Sequence, residues 1–216
     1  MKITHHLDEA TIMSCAAGTL DDALRVVVVS HASWCVSCHG ALQVAEAVGG
    51  AVLSDGGTEE VTASCKQQTF AALEAAQPVA RPLPVAAGEL PGPLSRLTGF
   101  TRFSDIAWKS KAPGVAMADI KILPSAVGHL YLLRIAPGKS MPEHGHGGEE
   151  LTMILSGSYS DKFGTFARGD VADLDTEVEH SPVVGGEEPC ICLVAAEAPT
   201  KFKSFFAKLA QPYLGI

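Results

Sequence analysis

Two histidines one residue apart, framed by glycines, constrain this chain more than any other feature. Gly138 is followed by five residues, His144-x-His146, three residues, Glu150, six residues and Gly157. In an extended strand, residues i and i+2 share a face, so His144 and His146 can address one ion. Glu150 adds a carboxylate from a nearby strand position, and His180, within Glu179-His180-Ser181-Pro182, is the natural fourth ligand from a later strand. Three imidazoles and a carboxylate suit Zn²⁺, Fe²⁺, Mn²⁺, Cu²⁺ or Ni²⁺, so the donor set does not select the metal. Histidines in a Gly-rich surface loop would account for a lone His-x-His. They would not account for glycines at matched spacing and a downstream histidine as well.

The segments around this motif read as strands. Short apolar or alternating stretches recur at Gly114 to Ile122, His129 to Ile135, Leu151 to Leu155, Val171 to Leu174 and Cys190 to Ala195, punctuated by Gly, Pro and Asp. Regularly spaced short strands predict an antiparallel sandwich or barrel.

The first eighty residues follow a different period. A helical segment from Leu7 to Ala17 is stopped by Gly18, and Asp21-Asp22 places acidic side chains at the start of a second helix running through Val26-Val27-Val28-Val29 to His31. A third helix is expected from Cys38 through Val48, ended by Gly49-Gly50, and a fourth from an N-cap at Thr58 to about Ala76. Between the second and third lies His31-x-x-x-Cys35-x-x-Cys38. A Cys-x-x-Cys step presents two thiolates from one turn, and i, i+4 spacing puts His31 on the same side as Cys35. His6 or His5 can close a tetrahedron, so Zn²⁺ is the expected ion. A redox dithiol is the competing reading of Cys-x-x-Cys alone.

Pro and Gly concentrate in Gln77-Pro78 to Pro84 and in Gly88 to Pro93, which predicts an extended linker. The expected domains are therefore a helical unit over 1–77, a linker over 78–95 and a β unit over 96–216, an α+β multidomain chain.

Composition narrows the function. The chain has 47% hydrophobic residues, 19% charged residues and a net charge of −8. Residues 1–100 carry five basic and ten acidic groups, and residues 101–216 carry eleven and fourteen. Without a basic stripe, direct nucleic-acid binding is not expected, since phosphate contacts need clustered Lys and Arg. An acidic N-terminal half suits a basic protein partner. No apolar run is expected to span a membrane, and Met1-Lys2-Ile3-Thr4-His5-His6 lacks a signal peptide's apolar segment. A cytoplasmic chain with reduced cysteines is the expectation.

The Gly138 to Gly157 spacing resembles the first cupin motif throughout. The second cupin motif is matched at the Gly169-Asp170 turn and at His180, whereas Ala167 stands where the motif has proline and no asparagine follows the histidine. Over nearly its whole length the chain resembles the ChrR-type anti-sigma factors. The matching residues are His5-His6, Ala16-Ala17-Gly18-Thr19-Leu20, His31-x3-Cys35-x2-Cys38, Asp170, Glu179-His180-Ser181-Pro182, Cys190-Ile191-Cys192-Leu193, Ala198-Pro199, Phe202-Lys203-Ser204-Phe205 and Gln211-Pro212. That resemblance implies a zinc anti-sigma domain with ligands His6, His31, Cys35 and Cys38. It implies that this domain holds an extracytoplasmic-function sigma factor inactive in a 1:1 complex. It further implies a jelly-roll cupin with a second divalent metal, expected to be Zn²⁺, needed for release under singlet oxygen or related oxidative stress. Singlet oxygen attacks electron-rich side chains, and Met141, Met153, Cys190 and Cys192 lie near the cupin motif in sequence. No enzymatic activity is expected. The rival is a metal-dependent cupin dioxygenase or isomerase with an appended zinc module, which would keep an open metal position and turn over a small molecule.

Overall fold

The computed structural model describes residues 2–75, 89–121 and 126–202. Most of the expected linker, and the Lys203-Ser204-Phe205 and Gln211-Pro212 segments, lie outside the described residues. Five helices come first: α1 (Glu9–Ala16), α2 (Asp22–Ala32), α3 (Val36–Asp55), α4 (Cys65–Ala75) and α5 (Gly92–Thr98). The strands follow as β1 (Lys109–Ala112), β2 (Val115–Asp119), β3 (His129–Ile135), β4 (His144–Gly145), β5 (Glu150–Ser156) and β6 (Ser158–Asp161). β7 (Gly164–Ala167), β8 (Val171–Leu174), β9 (Glu179–His180), β10 (Val183–Val184), β11 (Cys190–Ala196) and β12 (Lys201–Phe202) complete them. The large sheet runs β1-β2-β3-β11-β5-β8, with three-stranded sheets β10-β6-β7 and β12-β4-β9, and every pairing is antiparallel.

The first two helices start where local chemistry dictates. Asp8 caps α1 by accepting from Ala10 N–H (2.8 Å), and Asp21 caps α2 by accepting from Ala23 N–H (2.8 Å). The run of valines belongs to α2. Leu24, Val27, Val28 and His31 fall at i, i+3, i+4 and i+7, one face of a helix, and all four are fully buried.

That face rests on the large sheet. Leu130 and Leu132 of β3, Leu151, Met153 and Leu155 of β5, and Leu193 and Ala195 of β11 join Leu24, Val27 and Val28 in one apolar core. The alternate residues Tyr131, Ile154, Cys190, Cys192 and Val194 belong to a second core inside the barrel. The central strands are thus covered on both faces, one by helix and one by barrel. This is why β11, Cys190–Ala196, is buried at every position and its period of two is hard to see in the sequence. The helical segment therefore shares its core with the β domain through α2, while α4 buries none of its side chains.

Three helix boundaries also differ from expectation. α3 starts at Val36 with Cys35 as its cap, and continues past Gly49-Gly50 to Asp55. A glycine inside a helix costs only about 1 kcal/mol, and neither of these glycines takes a positive φ that would end the helix. α4 begins at Cys65 rather than after Thr58. Within the expected linker, Pro91-Gly92-Pro93 opens α5, because proline suits a helix's first turn, and Leu94 is fully buried. By length and composition alone α3 is also long and apolar enough to cross a membrane, and only 11% of that window is buried.

Both motif glycines have a structural reason. Gly138 takes φ +70°, and Gly157 takes φ +69°, where an added Cβ would lie 2.5 Å from the Pro189 carbonyl oxygen.

Asp21 joins the two halves, because its second oxygen accepts from Val127 N–H at 2.8 Å. Partial burial pushes its carboxyl up, but backbone N–H groups of Ala23, Val127, Gly128 and Asp22 outweigh this and hold it below the ordinary carboxylate value. Stability from such a group is fully present above the unfolded value near 4 and is lost as pH falls through the lower folded value. Asp21→Ala is expected to destabilise the chain by about 1–2 kcal/mol at neutral pH in urea unfolding. It should also flatten the loss of stability on acidification below about pH 4.

Candidate metal centres

The N-terminal centre draws on three segments. His6 lies in the extended stretch before α1, His31 on the last turn of α2, and Cys35 and Cys38 at the start of α3. One donor atom from each of the four lies within 4.8 Å of the others. His6 Nδ1 is 3.3 Å from Cys35 Sγ and 3.7 Å from Cys38 Sγ. His5 points elsewhere: its ring stacks on Phe166 at 4.0 Å, and its Nδ1 is 3.4 Å from the Asp170 carboxylate. The structure thus groups His6, and not His5, with the other three donors.

Cys35 is the N-cap of α3, and its sulfur accepts from Cys38 N–H at 3.5 Å. His31 Nδ1–H donates to the Gly169 carbonyl (3.0 Å), which leaves Nε2 as a bare lone pair. Burial, as the main cause, lowers the His31 pKa to about 4, so the ring is neutral near pH 7. Its Nε2 is buried without a hydrogen-bond partner. Burial and the neighbouring Cys35 push the Cys38 thiol up to about 11, a cost that a bound cation removes. An orphaned imidazole nitrogen facing two sulfurs and a second imidazole fits a soft tetrahedral cation.

The second centre lies in the barrel. β4 pairs with β9 so that His144 sits directly opposite His180, and His144, His146 and His180 converge within 4.8 Å. His144 Nδ1–H donates to the Pro142 carbonyl (2.8 Å), and His180 Nδ1–H donates to Asp161 Oδ2 (2.8 Å). In these tautomers the two Nε2 atoms carry no proton, and they face each other 3.1 Å apart. Two lone pairs at that distance repel unless a cation lies between them. His146 Nδ1 lies 3.2 Å from Glu150 Oε2, and its Nε2 is buried without a hydrogen-bond partner.

Glu150 is not part of the three-histidine convergence and meets it through His146, while its other oxygen accepts from Thr152 Oγ1 at 3.2 Å. Burial pushes Glu150 up, but the hydrogen bond and charge of His146 outweigh it and keep the carboxylate below its ordinary value. Burial, chiefly, lowers His144, so it too is a neutral donor.

A cavity of about 50 Å³ opens beside His144 and His180, lined also by Tyr131, Met141, Tyr159, Cys190 and Cys192. The Cys190 and Cys192 sulfurs lie 3.6 Å apart on the barrel side of β11. Met153 faces the helices instead, among the residues packed on α2. Asp161, which orients His180, escaped the sequence reading because Asp161-Lys162-Phe163-Gly164 looks like an ordinary hairpin turn.

The β domain matches a family model described as the ChrR Cupin-like domain over residues 98–199. The anti-sigma-E factor ChrR of Cereibacter sphaeroides is 35% identical over 218 residues, which span 100% of both chains. The crystal structure of Rhodobacter sphaeroides SigE in complex with the anti-sigma ChrR matches with TM-score 0.76 and 32% identity, covering 90% of this chain and 99% of that one. A cupin-like barrel with a histidine cluster, a helical unit with a His/Cys cluster and a likeness at 35% identity along the full length all agree, and the chain belongs to the family of ChrR-type anti-sigma factors.

Proposed function

We propose that this protein is a transcriptional regulator that sequesters an extracytoplasmic-function sigma factor, using the helical unit before the proline-rich stretch, and releases it when the cupin-like domain registers singlet oxygen or related oxidative stress. His6, His31, Cys35 and Cys38 hold a structural Zn²⁺. His144, His146 and His180 hold a second divalent metal, with Glu150 supporting or joining them. Zn²⁺ suits the first site because two thiolates and two imidazoles match its tetrahedral preference. The same ion is the expected occupant of the second, where imidazoles dominate. The chain acts as a regulator and not as an enzyme, in keeping with its full-length likeness to an anti-sigma factor. Its six free cysteines suit a reducing cytoplasm.

The observation that carries the reading is an uncovered apolar face. Val44, Val48 and Val52 follow one another at four-residue spacing on α3 and are 66%, 52% and 68% exposed. Leu53 and, on α4, Phe70 and Leu73 are exposed too. A helix whose buried end carries metal donors and whose later turns expose a row of valines is built to meet a partner. The acidic balance of the first hundred residues complements the basic surface a sigma factor needs for DNA.

Val48→Asp/Val52→Asp is expected to weaken sigma binding by about two orders of magnitude, as for loss of buried interface anchors. Zinc content and circular dichroism should stay unchanged. Titration calorimetry with the purified sigma factor reads the effect. Unaltered affinity would remove this face from the interface, and failure of the native chain to co-purify with any sigma factor would defeat the function.

A further inference from the structure

The N-terminal donor cluster is assembled from residues 6 to 38, yet the groups that hold its imidazoles belong to the β domain. His31 Nδ1–H donates to the carbonyl of Gly169, in the turn between β7 and β8. The neighbouring Asp170, 1% exposed, receives the backbone N–H groups of Thr4 (2.7 Å) and His5 (3.0 Å) on Oδ1. Its Oδ2 accepts from Ala167 N–H (2.9 Å) within the turn. Val171 N–H returns to the His5 carbonyl at 3.4 Å. One turn thus grips both segments that deliver imidazoles, α2 through a carbonyl and the stretch ending in His6 through a carboxylate.

The turn is itself anchored. Gly169 N–H donates to Ile154 O (2.8 Å) and Ile154 N–H to Asp170 O (2.9 Å), which seats it on β5, the strand that starts at Glu150. A buried carboxylate is costly unless its lone pairs are used, and here backbone N–H groups from both halves of the chain use them. A short polar turn residue that served only its own hairpin would have no need of Thr4 and His5.

We propose that Gly169 and Asp170 are positioning residues of the N-terminal metal site. The Gly169 carbonyl holds the proton of His31 on Nδ1 so that Nε2 faces the ion, and the Asp170 carboxylate clamps the segment that carries His6. This rests on the reading of His6, His31, Cys35 and Cys38 as one metal site. Groups that orient an imidazole ligand from behind commonly affect metal affinity by about 10–100-fold.

The full chain loaded with Co²⁺ tests the assignment, because the thiolate-to-cobalt absorption reports the Cys35/Cys38 site and not the histidine cluster. In competition with a chelator, Asp170→Ala is expected to lower Co²⁺ affinity at the thiolate site by about 10–100-fold. Asp170→Asn keeps one acceptor oxygen for Thr4 and His5 but sets its NH2 against Ala167 N–H, so it is expected to restore part of the affinity. Thr4→Pro deletes one N–H donor without altering the β domain. It is expected to shift affinity in the same direction by about tenfold, and it decides the matter should Asp170→Ala not fold. Wild-type affinity in folded Asp170→Ala, or in Thr4→Pro, overturns the assignment. A wild-type chain with no thiolate–cobalt absorption overturns instead the metal reading beneath it.

Discussion

Cys35→Ala or Cys38→Ala will strip the metal from the N-terminal centre and with it the hold on the sigma factor. Each sulfur is almost fully buried, and each supplies one of four donors that converge within 4.8 Å. A structural zinc site is worth about 10–16 kcal/mol in small domains, so one ligand in four accounts for on the order of 3 kcal/mol, or about two orders of magnitude in affinity, and dialysis against a chelator that leaves the wild-type site filled is expected to empty the variant's. The structural loss goes further, because an ion held by these four donors would tie together the stretch before α1, the end of α2 and the start of α3. These carry the helix whose bare apolar face is proposed to bind the partner. Metal analysis should fall from two equivalents per chain to one, and sigma inhibition should fall with it. A zinc-free Cys35→Ala chain that still inhibits would refute the structural role.

His144→Ala should separate the two activities the other way. It is expected to remove the cupin metal, leaving one equivalent per chain, while the sigma complex survives in unstressed conditions. Release under photosensitised singlet oxygen should fall to background. This is a cleaner variant than His180→Ala, which would leave the buried Asp161 carboxylate without its imidazole and add a desolvation penalty of about 1–3 kcal/mol. The His144 side chain instead leaves behind a backbone carbonyl, that of Pro142. Intact release by a metal-free His144→Ala chain would take sensing out of this centre. Among oxidisable groups, Met141, Cys190 and Cys192 border the same cavity, whereas Met153 lies on the other face of the sheet.

Much of the β domain was legible because its signals are local. β3 and β8 match the expected stretches residue for residue, since alternation and flanking turn residues mark strand ends without outside help. The Asp21-Asp22 helix start was legible for the same reason. Helix ends were less so. Gly49-Gly50 resembles a stop, but a packed helix tolerates glycine, and α3 runs on to Asp55. The Pro91-Gly92-Pro93 stretch resembles linker, but Leu94 finds a core to enter and the segment coils into α5.

The candidate ligands divide along the same line. Cys35-x-x-Cys38 with His31, and His144-x-His146, are spacings that one helix turn and one strand face convert directly into geometry. Their identity was therefore written in short windows of the chain. The choice of His6 over His5, the placing of Glu150 behind His146, the support of His180 by Asp161 and the grip of Gly169 and Asp170 on the N-terminal centre were not. These depend on partners as far apart as 138 residues between His31 and Gly169 and 165 between His5 and Asp170. Local propensity carries no record of such contacts. They arise when α2 buries Leu24, Val27 and Val28 on the sheet, because the burial of that face sets which turn meets which helix end.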